Sequence, residues 1–221
     1  MLRSQLLSVG LALGAALLVS AASIGLETKP YAIGEKVDPK ISLKDLDGKA
    51  WTLGDFQKTA EREGKVVVID FWSIDCPVSV AYETRMKKLA KACADQGVVF
   101  LAIDSNHTEL DEGAEDPYAR IRTYAKKAEV AFPILIDKGN VVADRFGGKT
   151  TPHIFVIDRE GVLQYNGGVD DDSKMAKEKA GEEVQRYADN AIAAVLAGKK
   201  PDPATTKPQG CSIKRVPQAA Q

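Results

Sequence analysis

Residues 66–72, Val-Val-Val-Ile-Asp-Phe-Trp, form an almost unbroken run of β-branched and aromatic side chains. Such a run reads as a strand buried on both faces, the kind that occupies the middle of a parallel sheet. Parallel strands need a crossover between them, and the next segment supplies one. Pro77 suits the first turn of a helix and Gly97 suits its end, so the spacing predicts a helix over 77–94. Val98 to Ile103 is then a second buried strand. Strand, helix and strand make a βαβ unit, which puts the chain in the α/β class.

The rest of the chain can be arranged around that unit. Ile41–Leu46 alternates like a half-buried strand, Asp47-Gly48 marks a turn, and Ala50–Leu53 returns, giving an N-terminal hairpin. A polar, acidic loop over 104–116 borders the sheet end and is expected to shape access to any site there. Next come a short helix over 117–128, a strand over 132–136, a short helix over 141–146, and a second hairpin pairing 153–157 with 162–165. One final helix of moderate length is expected within 174–197, with Asp170-Asp171-Asp172 at its start, where acidic side chains complement the helix dipole. The expectation is a central mixed sheet flanked by helices, one domain over 40–197. Beyond Gly198, Pro201, Pro203, Pro208 and Pro217 exclude a regular helix, and composition predicts disorder for the tail 198–221.

The N-terminus has a different character. Arg3 precedes an apolar run from Leu6 to Val19, followed by the small-residue stretch Val19-Ser20-Ala21-Ala22-Ser23. This reads as a cleavable secretory signal over 1–22, with 23–39 a polar lead-in. The run is short for a membrane span, so no stable membrane association is expected after cleavage, and the mature chain is expected to be periplasmic or extracellular. The formal net charge of the 221 residues is -1. Bulk electrostatics therefore gives no reason to expect a nucleic acid partner.

Export bears on the cysteines, which are Cys76, Cys93 and Cys211. Outside the cytosol, thiols pair or do redox chemistry, and three are too few for a disulfide scaffold. Cys76 stands where the buried strand gives way to the helix. Unpaired N–H groups and the positive end of the dipole at that position favour thiolate over thiol, so Cys76 is the candidate nucleophile.

The segment Asp70-Phe71-Trp72-Ser73-Ile74-Asp75-Cys76-Pro77-Val78-Ser79 resembles the thioredoxin active site, with Asp70 at the spacing of that family's buried aspartate. Thr151-Pro152 before a strand resembles the family's Thr-Pro element, where the proline is cis. The order of elements over about 40–196 is also similar to that of thioredoxin-like redoxins, including exported members of the AhpC/TSA, peroxiredoxin-like set with a Cys-Pro-Val-Ser site and a Gly-Cys tail. The resemblance implies Cys76 as attacking thiol and Asp70 as a buried carboxylate that accepts and returns the proton. It also implies Trp72, Pro77, Thr151 and Pro152 as the surface that holds substrate. No metal or cofactor is implied.

Position 79 is serine, so no local dithiol exists, and a mixed disulfide at Cys76 cannot be resolved locally. Cys93 lies 17 residues on, about 25 Å along the same helix, beyond the roughly 7 Å that a disulfide allows. It reads as a core residue. Cys211 is 13 residues past Gly198 on a tail that spans up to about 45 Å, enough to reach any face of the domain. It is the candidate resolving thiol, with a free or intermolecular tail cysteine as the alternative.

Three functions fit. One is an exported thiol–disulfide oxidoreductase acting on a thiol or disulfide protein, or on a small thiol, with an external electron donor. The second is a thiol peroxidase, an antioxidant enzyme. Its Pro-x-x-x-Thr/Ser-x-x-Cys pattern is met by Ser73, but Ile69 stands where the proline should be. The third is a copper-binding thioredoxin-fold protein that is not an enzyme, using His153 with Cys76 and Cys211. His107, in the acidic loop, has no assigned role.

Overall fold

The computed structural model describes residues 29–217. The expected signal over 1–22 lies outside the described residues. None of the described helices is long and apolar enough to cross a membrane.

The central strand is β3 (Val67–Trp72), and its side chains alternate between two apolar layers. Val68 and Trp72 point to one layer; Val67, Ile69 and Phe71 point to the other. This is why the run carries no polar face. In order, β1 (Ser42–Asp45) and β2 (Ala50–Thr52) precede β3, and α1 (Pro77–Asp95) and β4 (Val99–Asp104) follow it. Then come α2 (Ala119–Lys127), β5 (Ile134–Ile136), α3 (Val141–Phe146), β6 (Thr150–Thr151), β7 (Ile154–Ile157) and β8 (Leu163–Gly167). The chain continues through α4 (Ala176–Ala180), α5 (Tyr187–Leu196) and β9 (Cys211–Ser212).

Seven strands form one mixed sheet in the order β2-β1-β5-β4-β3-β7-β8. β3, β4 and β5 run parallel, whereas β7 and β1 join them antiparallel. α1, α2 and α5 cover one face, where Tyr82, Met86, Leu89, Ile121 and Ile192 meet Val68, Phe100 and Val156. α3 covers the other through Val142 and Phe146. The α/β architecture with an N-terminal hairpin is as the sequence predicts.

Four local expectations are corrected. The lead-in is part of the core: Tyr31 and Val37 are buried, and their N–H groups donate to Arg145 O and Gly161 O at 3.0 and 2.9 Å. The single final helix is two, because Gly181 takes a left-handed φ of 72° that ends α4, and α5 starts only at Tyr187.

The acidic run opens α4 instead of the last helix, with the Asp172 carboxylate accepting from the N–H groups of Ala176 and Lys177 at 2.7 and 3.0 Å. Asp170 and Asp172 are also buried against Arg85 of α1, whose Nη1 and Nη2 reach them at 2.7 and 2.9 Å.

Lastly, the tail is ordered over its described residues, 198–217. β9 pairs antiparallel with β6, Thr205 bridges to Asn166, and Ile213 is buried among Phe71 and its neighbours. Its prolines exclude a helix but leave N–H groups free to pair elsewhere, and that pairing is not visible in composition.

Candidate active site

β3 ends at Trp72, residues 73–75 turn the chain, and Cys76 caps α1 in an extended conformation (φ −85°, ψ 113°) with Pro77 at the first helical position. The fixed φ of proline suits that position, where its missing N–H costs nothing. Cys76 Sγ accepts from the Ser79 N–H at 3.4 Å, and in its thiol form donates to Thr151 O at 2.9 Å. A further N–H, that of Cys211, reaches the same sulfur at 3.4 Å, from 135 residues along the chain. The tail cysteine therefore lies directly against the helix-start cysteine, both as free thiols.

Burial pushes the Cys76 thiol up. The Cys211 thiol and the N–H groups of Ser79 and Cys211 outweigh it, and the net direction is down. Cys211 goes the other way, raised by burial and by its neighbour Cys76. The pair thus has the asymmetry that thiol–disulfide exchange uses, one sulfur readily ionised and one held as thiol.

β9 is seated on the Thr151-Pro152 element. Thr151 pairs with Cys211, and the Thr151–Pro152 peptide is cis. Gly210 makes the approach feasible: a Cβ there would lie 2.1 Å from Thr151 O and 2.7 Å from Thr151 C. The edge that the resemblance assigns to substrate is occupied by this chain's own tail.

Asp70 points to the α1 side of β3, is fully buried, and neither carboxylate oxygen has a hydrogen-bond partner. Burial, followed by the charge of Cys76, raises its pKa well above the usual carboxylate range. A carboxyl whose pKa burial has raised is suited to hold and return a proton.

The remaining sequence candidates sort by exposure. Pro77 is exposed beside the cysteine. Trp72 is 1% exposed and packs edge-on against Tyr124 at 5.7 Å, which makes it a core residue instead of a substrate contact. Cys93 faces the core of α1, and burial pushes its thiol up to about 12.

His153 follows Pro152 in sequence but does not turn to the sulfurs. Its Nδ1 accepts from Lys149 N at 3.2 Å, its Nε2 meets Asn166 Oδ1 at 2.7 Å, and burial lowers its pKa to about 4. Among the described residues no group of three or more His, Cys, Asp or Glu side chains is placed to hold a metal ion. The proposed Cys/His copper set is therefore not assembled.

The acidic loop contributes a group that sequence reasoning had no basis to single out. Glu109 is 1% exposed and accepts from the Ser73 hydroxyl and from Ile74 N at 2.9 Å. Ser73 Oγ in turn accepts from the Cys76 N–H at 2.9 Å. The Ser73 proton is thus directed at Glu109 and away from Cys76 Sγ. One signal was present in the sequence, a glutamate just after a buried strand, but nothing local distinguishes it from the loop's other acids.

Comparison with known proteins bears on the family and the fold. The AhpC/TSA family profile matches residues 33–166. The thiol-disulfide oxidoreductase ResA of Halalkalibacterium halodurans is 31% identical over 129 residues, 58% of this chain and 65% of that protein. The thioredoxin-like protein YneN of Bacillus subtilis is 32% identical over 126 residues, 57% of this chain and 66% of that protein. The chain thus spans a little under two thirds of the length of these curated relatives. In three dimensions, an uncharacterized conserved protein from Geobacillus kaustophilus superposes with a TM-score of 0.70 at 27% identity, covering 85% of this chain and 94% of that one. With a profile that takes in the βαβ unit, the Cys76 helix start and the Thr151-Pro152 element, the chain belongs to the AhpC/TSA family and has a thioredoxin-like fold.

Proposed function

We propose that this chain is an exported thiol–disulfide oxidoreductase in which Cys76 attacks and Cys211 resolves. The observation that carries the reading is the meeting of the two cysteines: the N–H of Cys211 reaches Cys76 Sγ at 3.4 Å. The names of the curated relatives support the same chemistry.

Cys76 thiolate attacks one sulfur of a substrate disulfide. The other sulfur leaves as thiolate, and Cys76 is left in a mixed disulfide. Cys211 loses its proton and attacks Cys76 Sγ, which expels the second substrate thiolate and closes a Cys76–Cys211 disulfide. An external dithiol then returns two electrons. Asp70, its pKa raised by burial, is the group that exchanges the proton as Cys76 ionises and is restored. Thr151 and Pro152 hold the tail strand so that the two sulfurs stay in reach, and Pro77 belongs to the exposed rim that a partner meets.

Mild oxidation followed by peptide mapping without reduction tests the reading. The expected product links Cys76 to Cys211. A Cys76–Cys93 link, or a Cys211 that stays free, refutes it. Peroxide consumption compared between the native chain and Cys76→Ser distinguishes this activity from a thiol peroxidase, for which the Ser73–Glu109 contact and Ile69 provide no support.

A further inference from the structure

The turn Asn106–Glu109 after β4 touches both cysteine-bearing segments. Toward Cys76, the Glu109 carboxylate accepts from Ser73 Oγ, from Ile74 N at 2.9 Å and from Asp75 N at 3.4 Å. Those donors are the whole loop between β3 and the nucleophile. Toward Cys211, Asn106 Oδ1 accepts from Lys214 N at 2.9 Å, while His107 N donates to Lys214 O at 3.0 Å. His107 Nδ1 also meets Lys214 O, at 2.8 Å.

Beneath the turn lies Asp104, 2% exposed, whose Oδ1 accepts from Asn106 N and Nδ2 at 2.9 and 3.1 Å. Its Oδ2 has no donor and faces the Glu109 carboxyl. Burial, followed by the neighbouring Glu109 carboxyl, raises the Asp104 pKa well above the usual carboxylate range.

We propose that Glu109 is a positioning residue, and that the turn it belongs to is a yoke that fixes the Cys76 loop and the Cys211 strand to one support. This rests on the two-cysteine reading above. While Cys76 carries a substrate thiol, the space that Cys211 fills must open, and the tail is then kept close by its flanking contacts, Lys214 among them. The yoke therefore sets how quickly Cys211 returns to attack. Glu109 acts through the Ser73–Asp75 loop and touches neither sulfur.

The test uses a full chain with Cys93→Ala, so that only two thiols react, and dithiobis(nitrobenzoate) as the disulfide. Release of the first thionitrobenzoate reports attack by Cys76, and release of the second reports resolution by Cys211. Glu109→Gln is expected to slow the second step by about tenfold, the scale of losing one charge-assisted hydrogen bond. His107→Ala, a milder change at a half-buried ring, is expected to slow it by about threefold, on the scale of a single neutral hydrogen bond. Lys91→Ala, on the far part of α1, is expected to leave both steps unchanged.

If Glu109→Gln lowers the melting temperature yet resolves at the unsubstituted rate, the residue is merely structural and the proposal falls. If that variant does not fold, an unchanged second step in His107→Ala overturns the yoke by itself. If the unsubstituted chain releases only one equivalent and forms no Cys76–Cys211 link, the two-cysteine reading fails first.

Discussion

Gly210→Ala isolates the fit of the tail strand. Gly210 has no left-handed φ, so alanine costs nothing in backbone conformation, and the whole effect is steric. The added Cβ would stand 2.1 Å from Thr151 O, a backbone atom, where ordinary contact begins near 3.4 Å. The tail must move away from β6 by about 1.3 Å to relieve it. A hydrogen bond of about 3 Å stretched by that much is lost. The two most exposed to the shift are Cys211 N to Cys76 Sγ at 3.4 Å and Ile213 N to Lys149 O at 3.1 Å.

At about 1 kcal/mol each, their loss is worth about 2 kcal/mol, or a factor of about 30 in the docked fraction of the tail. The side chain of Ile213, 5% exposed, adds to this if it is drawn from its seat. Stopped-flow release of the second thionitrobenzoate is therefore expected to slow about 30-fold, with the first release preserved, and the melting temperature is expected to fall by about 4–8 °C. Resolution at the unsubstituted rate would show that the 2.1 Å approach does not hold Cys211 in place, and the steric argument would be wrong.

Other perturbations report on the buried charges. Because burial raises Asp70, its ionisation costs the folded state stability as pH rises from about 4 toward the folded pKa, so Asp70→Asn should gain on the native chain with rising pH in urea titrations and gain nothing at pH 3. His153, held near 4 in the folded chain against 6.5 unfolded, takes up its proton more readily when unfolded. Stability is then lost as pH falls from 6.5 to about 4, by up to about 3 kcal/mol, and His153→Gln should flatten that limb of the melting profile. Arg85→Ala strands the buried Asp170 and Asp172 carboxylates and is expected to cost about 3–5 kcal/mol in chemical denaturation, with Cys76 alkylation little changed where the chain remains folded.

The parts that were legible in the sequence are those whose cause is local. β3 is written in its own side chains, and the start of α1 is written in Cys76-Pro77, because the period of a strand and the first turn of a helix are set within a few residues. Cys93 was legible for the same reason, since rise per residue alone separates it from Cys76.

The tail was not legible. Its order comes from Thr151, Asn166 and Lys149, far away in sequence, and composition has no term for a strand that finds its edge there. Asp170 and Asp172 were misassigned because their partner, Arg85, lies in α1, 85 residues upstream of Asp170. Glu109 looked like one more solvated acid, and only the meeting of β3 and β4 turns it inward toward Ser73. His153 looked like a possible ligand from its neighbour Pro152, yet alternation along β7 sends its ring to Asn166 instead of the sulfurs.

The pairing of β9 with β6 also orders events in time. All seven strands of the main sheet are complete by Gly167, while the strand that brings Cys211 to Cys76 comes more than forty residues later. A chain emerging from synthesis can therefore assemble its sheet, its helix start and the Cys76 thiol before Cys211 arrives. During that interval Cys76 is uncovered and without Cys211, open to any disulfide or oxidant nearby. Arrival of β9 then covers Cys76 and sets a second thiol against it.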